Sequence, residues 1–153
     1  MTEKTRLLIF TTAYRPLVGG SEIALEEIIR RLPNIFFDIL TTRHMPGLER
    51  NESFSNGCIH RVGFGSQIDK LLFPVLGFLA AIKFRPKQIH AYQASFGAGA
   101  AFVYKTFFPK TRFILTLQEG KELNKQNFLI KFFRNLIIRK ADVITAISNY
   151  LAN

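Results

Sequence analysis

The chain has 153 residues, 48% hydrophobic and 21% charged, which is long enough to bury one real core and too apolar for disorder. Its formal charge of +10 directs it toward phosphate in some form, whether nucleic acid, anionic lipid or a phosphorylated small molecule. The single cysteine, Cys58, excludes an intramolecular disulfide and fits a reducing compartment, and no Cys/His cluster has metal-ligand spacing.

Met1 to Arg6 is charged and leads straight into a short strand, which predicts no signal peptide. Leu7 to Thr12 is a continuous apolar strand of the kind that a parallel sheet buries on both faces. The loop after it ends in Gly19-Gly20-Ser21 at the mouth of a helix. Glycines there let a ligand approach the main chain closely, and the first amides of a helix suit a phosphate. Arg15 adds a fixed cation able to pair with an anion through two parallel hydrogen bonds. Two readings stand: a phosphate-binding turn made by Arg15, Gly19, Gly20 and Ser21, or a glycine-eased helix start that holds no ligand.

Ser21 to Leu32 is an amphipathic helix, with Leu25, Ile28, Ile29 and Leu32 at i, i+3, i+4 and i+7. Its outer face offers Glu26–Arg30 and Glu27–Arg31 as i,i+4 pairs. Phe36 to Thr42 is a second strand, and Arg43 to Asn56 reads as a polar, mobile loop beside a cleft. Cys58 to Phe64 is a short, partly polar third strand. Leu71 to Phe84 is helical. Its apolar run is well short of the roughly 20 residues of a spanning helix, so burial is expected instead. Gln88 to Tyr92 is a fourth strand, and Phe96 to Phe107 is a helix whose Gly97, Ala98 and Gly99 suit close packing. Arg112 to Leu117 is a fifth strand, followed by Gln118-Glu119-Gly120. Phe128 to Lys140 is the most amphipathic helix, and it carries the four bases Lys131, Arg134, Arg139 and Lys140 with no acid. Ala141 to Ile147 is a sixth strand.

This alternation implies an α/β fold: a Rossmann-like, doubly wound, mostly parallel sheet of about six strands with helices on both faces. Ligands of such sheets bind at the carboxyl ends of the strands, so the loops after Thr12, Thr42, Tyr92, Leu117 and Ile147 would share one rim. The dinucleotide fingerprint and the P-loop are both absent. His44, His60 and His90 are scattered, with no metal implied, and His90 inside a strand reads as a packed or hydrogen-bonded residue. Ser148 lacks a nucleophile elbow. Glu119, just past a strand end, reads either as a base or hydroxyl acceptor or as a solvated loop acid.

The basic helix has two readings as well, an ordinary surface helix or one that rests on anionic lipid through Lys131, Arg134, Arg139 and Lys140. Phe128, Ile130 and Ile138 widen its apolar band beyond what packing on a sheet requires. No nucleic-acid motif is legible, and the sixteen Phe are interleaved with aliphatic residues as in a core. An anionic membrane surface is therefore preferred to nucleic acid as a partner.

Tyr14-Arg15-Pro16-Leu17-Val18-Gly19-Gly20-Ser21-Glu22 with the following helix and Phe37 to Thr42 resembles the N-terminal half of family 4 glycosyltransferases, which have the GT-B fold. Ala141-Asp142-Val143-Ile144-Thr145-Ala146-Ile147-Ser148 resembles the strand and serine that close that half. The resemblance covers nearly the whole chain. It implies a retaining, metal-independent transfer from a nucleotide-sugar donor to a sugar, polysaccharide or lipid-linked acceptor of the cell envelope, with Gly19 and Gly20 near the donor phosphates. It also implies a cytoplasmic enzyme, peripheral on the inner membrane face. Where the family commonly has a histidine after the fifth strand, this chain has Gln118, followed by Glu119; these two are the candidate catalytic residues, and Gln118 cannot take a proton. The family's donor-handling E-x7-E has no match, since no two acids here are eight apart. Residues 1–153 are thus expected to be a single acceptor-side domain that binds no cofactor by itself, is inactive alone, and lacks its donor domain. The alternative is a non-catalytic Rossmann-like module that docks on anionic lipid or on a separate donor-domain protein.

Overall fold

A computed structural model describes residues 5–118 and 128–146. Seven strands form one sheet: β1 (Thr5–Phe10), β2 (Ile35–Thr42), β3 (Asn51–Phe54), β4 (Gly57–Val62), β5 (Gln88–Tyr92), β6 (Arg112–Leu117) and β7 (Val143–Ala146). The four helices are α1 (Gly20–Arg31), α2 (Asp69–Ile82), α3 (Phe96–Phe107) and α4 (Phe128–Lys140). The spatial order is β3-β4-β2-β1-β5-β6-β7, parallel throughout except for the antiparallel β3–β4 pair at one edge.

Strand alternation sorts the core into two layers. Leu8 and Phe10 of β1 face α2 and α3, where Phe73, Ala81, Ala98, Ala101 and Tyr104 meet them. Ile9, between them, faces the other way, onto Leu25 and Ile29 of α1. Helices therefore cover both faces, as the alternation of elements requires. Small residues bring α2 and α3 together: a Cβ on Gly77 would stand 3.0 Å from that of Ala100, and one on Gly99 would stand 3.1 Å from Pro74 Cγ. The small stretch at the start of α3 serves close packing.

Three expectations change. The polar segment Arg43 to Asn56 is not all loop. Its second half forms β3, which returns along β4 in register with Asn51 opposite His60 and Phe54 opposite Gly57. The signal for this hairpin is short: Asn56 sits in its turn, 6% exposed, and its amide donates to the carbonyls of Ile29, Leu32 and Ile35 at 3.2–3.4 Å, closing the end of α1. Gly57 is needed just after it, because a Cβ there would fall 2.3 Å from the Phe37 carbonyl oxygen. The second change is in α1: Glu27 pairs with Arg30 and Arg31, but Glu26 turns away from Arg30 to the loop before the helix. The third is α2, which is not a buried helix. Phe73, Gly77 and Ala81 are buried along one stripe, while Leu71, Val75 and Leu79 face solvent.

Candidate functional site

Chain order reverses between β1 and β5: β2 lies on one side of β1, and β5, reached only after α2, lies on the other. In open α/β sheets such a switch point leaves a crevice outside the strand ends. Here the crevice lies between the loop that follows β1 and the Gln93-Ala94-Ser95 turn that opens α3. Gly97 seats α3 directly on this crevice, since its Cβ position is 3.4 Å from Thr11 Cα.

The first loop is held from several sides. Thr11 Oγ1 donates to the Ala13 carbonyl at 2.9 Å, and Thr42 Oγ1 donates to the Thr12 carbonyl at 2.7 Å. Arg61 reaches across from β4 with a side chain only 2% exposed. It donates to the carbonyls of Arg15 and Glu49 at 2.8 and 3.1 Å and to Glu52 Oε2 at 2.7 Å. Sequence reasoning passed over Arg61, which looks like one more base on a polar strand. Its role depends on an interaction between residues far apart in the chain.

The structure brings the four proposed phosphate ligands onto one turn, but with partners of their own. Arg15 grips the Glu26 carboxylate with two nitrogens, and the Tyr14 hydroxyl donates to the same carboxylate at 2.8 Å. The Arg15 bond, opposed by burial and aided by the Tyr14 bond, holds the Glu26 carboxyl below its usual range. Burial and then the Glu26 bond push the Tyr14 phenol upward. Gly19 is the residue before α1 and makes no side-chain cap, while Ser21 Oγ donates to Glu22 Oε1 at 3.0 Å. The other Glu22 oxygen stands 2.6 Å from where a Gly19 Cβ would be. A phosphate at the start of α1 would therefore meet the Glu22 carboxylate beside Gly19 and would have to draw Arg15 from Glu26.

Orphaned polar atoms collect along the same rim. Among the described residues, buried Thr41 Oγ1, both ring nitrogens of His44, Tyr92 Oη and Gln118 Oε1 have no hydrogen-bond partner. All lie at or just past the carboxyl ends of β2, β5 and β6. Native interiors leave few polar atoms unpaired, so such a cluster marks a place where a polar ligand or water completes the bonding. His44 is 4% exposed. Burial, with Lys70 and Arg61 nearby, lowers its pKa despite the Thr42 backbone, so it is a neutral donor and acceptor at pH 7. Tyr92 is pushed up to about 12 by burial and stays protonated. Gln118 is on the rim as expected, whereas Glu119 lies outside the described residues.

His90 has the packed role expected of it. It stacks on Tyr92 with ring centroids 4.4 Å apart and bonds Thr116 Oγ1 at 2.7 Å, and burial lowers its pKa to about 4. No three His, Cys, Asp or Glu side chains among the described residues group as a metal site would.

A concavity of roughly 680 Å3 opens from the crevice at Gln93, Ala94 and Ser95 and runs along the α2–α3 face. Leu71 and Pro74 of α2, Phe102 and Val103 of α3, and Leu129 and Phe133 of α4 line it, with Arg134 on one wall. Of the four bases proposed to face a membrane, Arg134 is at this cavity and Lys131 is one turn earlier on α4. Arg139 and Lys140 lie at the other end of the helix. No helix among the described residues is long and apolar enough to cross a membrane.

No family model matches the chain, and no curated protein matches it in sequence. Among solved structures, sucrose-phosphate synthase from Thermosynechococcus elongatus is similar with TM-score 0.69 at 11% identity, over 92% of this chain and 41% of that one. A second structure of sucrose-phosphate synthase from the same organism gives TM-score 0.69 at 13% identity, over 95% of this chain and 77% of that one. The likeness is one of fold, and the fold is that of a Rossmann-like GT-B domain.

Proposed function

We propose that this chain is the acceptor-side domain of a GT-B glycosyltransferase that works with a nucleotide-sugar donor and a donor domain supplied elsewhere. The observation that carries the reading is the row of orphaned polar atoms on His44, Tyr92, Thr41 and Gln118 along the crevice of a GT-B-like sheet. A polyhydroxylated ligand offers donors and acceptors to match such atoms. Gln118 and the hydroxyl of Tyr92 would orient acceptor hydroxyls, and His44 would bond one as a neutral imidazole. Gly19, Gly20 and Ser21 would face the donor diphosphate once Glu22 swings aside. Catalysis would then rest on electrostatic support of the departing phosphate, shared with the donor domain. Membership of family 4, a retaining outcome, a cell-envelope acceptor and a site on the inner membrane face belong to this proposal through the resemblance of the first turn and of the closing strand.

The test is amide-resolved NMR of the full chain titrated with a panel of sugar phosphates and nucleotide sugars. Shifts confined to Gly19–Ser21, His44, Tyr92 and Gln118 are expected, with no sugar transfer by the chain alone. Turnover without a second polypeptide would sink the half-enzyme reading. One observation favours a second reading, a non-catalytic binding module: Arg15 is already paired with the Glu26 carboxylate, and the Glu22 carboxylate stands against Gly19. Sugar phosphates that shift the rim, with nucleotide sugars that leave Gly19–Ser21 untouched, would select it.

A further inference from the structure

The outer face of α2 is apolar along its whole length. Ile68, Leu72, Val75, Leu79 and Ile82 recur at spacings of four, three, four and three residues, and they are 37–61% exposed. Ile68 belongs to the first turn, since the Leu72 amide donates to its carbonyl at 3.1 Å. At about 3.6 residues per turn the five fall within about 80° of the helix circumference, the seam spacing of helices that pack lengthwise on one another. The opposite stripe of Phe73, Gly77 and Ala81 is buried, which holds the seam outward. Phe107, at the end of α3, is exposed beside it and stacks on Phe78 with ring centroids 5.2 Å apart. Contiguous apolar exposure of this kind marks an interaction surface. Because α2 starts after β4 at the rim and ends before β5 at the opposite end of the sheet, a partner seated at the crevice would leave most of the seam bare.

Charge and residue order narrow the occupant. No charged residue lies between Leu71 and Ile82. Asp69 is buried, its carboxylate accepting from the amides of Phe64, Gly65 and Ser66 at 2.8–3.1 Å. Lys70 lies close enough to the buried His44 to help lower its pKa. An anionic lipid surface is met by bases interleaved with the apolar face, and this seam has none. A second copy needs the reverse. Each copy carries +10, so two copies approach most easily along a strip that sets no cation on another. A twofold contact also needs a surface that matches itself. The seam reads Ile-Leu-Val-Leu-Ile from either end. Antiparallel copies would set Ile68 against Ile82, Leu72 against Leu79, and Val75 against Val75 at the axis, with the helix dipoles opposed.

We propose that the chain forms a twofold dimer by packing the outer face of α2 against α2 of a second copy. The contact stands whether or not the crevice transfers sugar. Each helix is only about 21 Å long, so the interface is at the small end of specific contacts and the dimer dissociates on dilution.

The experiment is sedimentation equilibrium of the full chain from about 1 μM to about 1 mM, at low and at high salt. A monomer–dimer equilibrium is expected, tighter at high salt because screening weakens the repulsion between two copies of like charge. Val75→Glu, which sets carboxylate against carboxylate at the axis, should weaken association at least about tenfold. The melting profile of the dilute monomer should not change, since the position is exposed. In a Cys58→Ser background, Val75→Cys should give a disulfide-linked dimer under mild oxidation, whereas Phe128→Cys, more exposed but on α4, should not. A chain that is monomeric throughout, association that weakens with salt, indifference to Val75→Glu, or equal cross-linking of the two variants overturns the proposal. So does a chain that stays monomeric and adsorbs to phosphatidylglycerol vesicles through this seam, which would give α2 to a membrane.

Discussion

Around the first βα turn, charged groups are matched within the chain: Arg15 to Glu26, Arg61 to Glu52, and the Tyr14 hydroxyl to Glu26 again. At the mouth between α2, α3 and α4, phenylalanines and aliphatic residues are at least half exposed, and Phe128 is 80% exposed. The two regions adjoin on one rim and arise from the same sheet, yet one is closed on itself and the other is open. The polar side already has the geometry of a loop held for a ligand, but any anion must compete with carboxylates in place. Neither of those ion pairs, Arg15 with Glu26 or Arg61 with Glu52, extends to the apolar side. Affinity should therefore be easier to gain at the apolar mouth, and selectivity easier to set at the polar turn.

Substitutions test this contrast in order of size. On α2, Phe73→Ala should cost about 3–5 kcal/mol in urea unfolding, because the ring is fully buried between the sheet and α3. The same experiment on Arg61→Leu should cost about 1.5–3 kcal/mol, since it removes charge-assisted bonds to the Arg15 loop. A loss near zero would show that the first turn is not held from β4 and would erase the contrast on its polar side.

Acid should also act on the polar side first. The unfolded chain binds a proton at His90 near pH 6.5, and the folded chain binds it only near pH 4. Stability contributed by keeping this ring neutral is complete above pH 6.5 and is lost as pH falls toward about 4. A melting profile in that window should flatten in His90→Phe, which keeps the stack on Tyr92. Below that window Asp69 and Asp142 take over. Burial raises both, but backbone amides, and for Asp142 also Lys105, outweigh it and hold them below the usual range.

Glu26→Gln addresses the matched charges directly. Weakening the grip on Arg15 should raise affinity for inorganic pyrophosphate several-fold, read by calorimetry. Unchanged affinity would mean that Arg15 is a structural residue of the loop and not a masked ligand. The smallest effect is expected on α4, where Phe128→Ser should change stability by no more than about 0.5 kcal/mol, since the ring lies mostly in water. A larger loss would mean that the helix tip is packed in solution and that the mouth is not open.

Much of the fold was legible in the chain. Gln88 to Tyr92, Phe96 to Phe107, Arg112 to Leu117 and Phe128 to Lys140 have the bounds that periodicity gives them. β3 was not legible, because Asn-Glu-Ser-Phe is a short, polar edge strand with neither alternation nor a glycine at its start. The candidate site was half legible. Gly19, Gly20, Ser21, Arg15 and Gln118 stand out by position after strands, whereas Arg61, His44 and Tyr92 acquire meaning only through what surrounds them.

Local pattern by itself determined the alternation of elements, the parallel sheet, the rim at the carboxyl ends and the excess of apolar residues at the start of α4. Helical and extended hydrogen bonding repeats within a few residues, so short windows of sequence carry it. Tertiary structure alone decided that β5 lies beside β1, that Glu26 leaves Arg30 for Arg15, and that α2 and α4 expose their apolar sides around one cavity. Those outcomes depend on contacts between residues far apart in the chain, where burial and competition for partners settle what spacing leaves open.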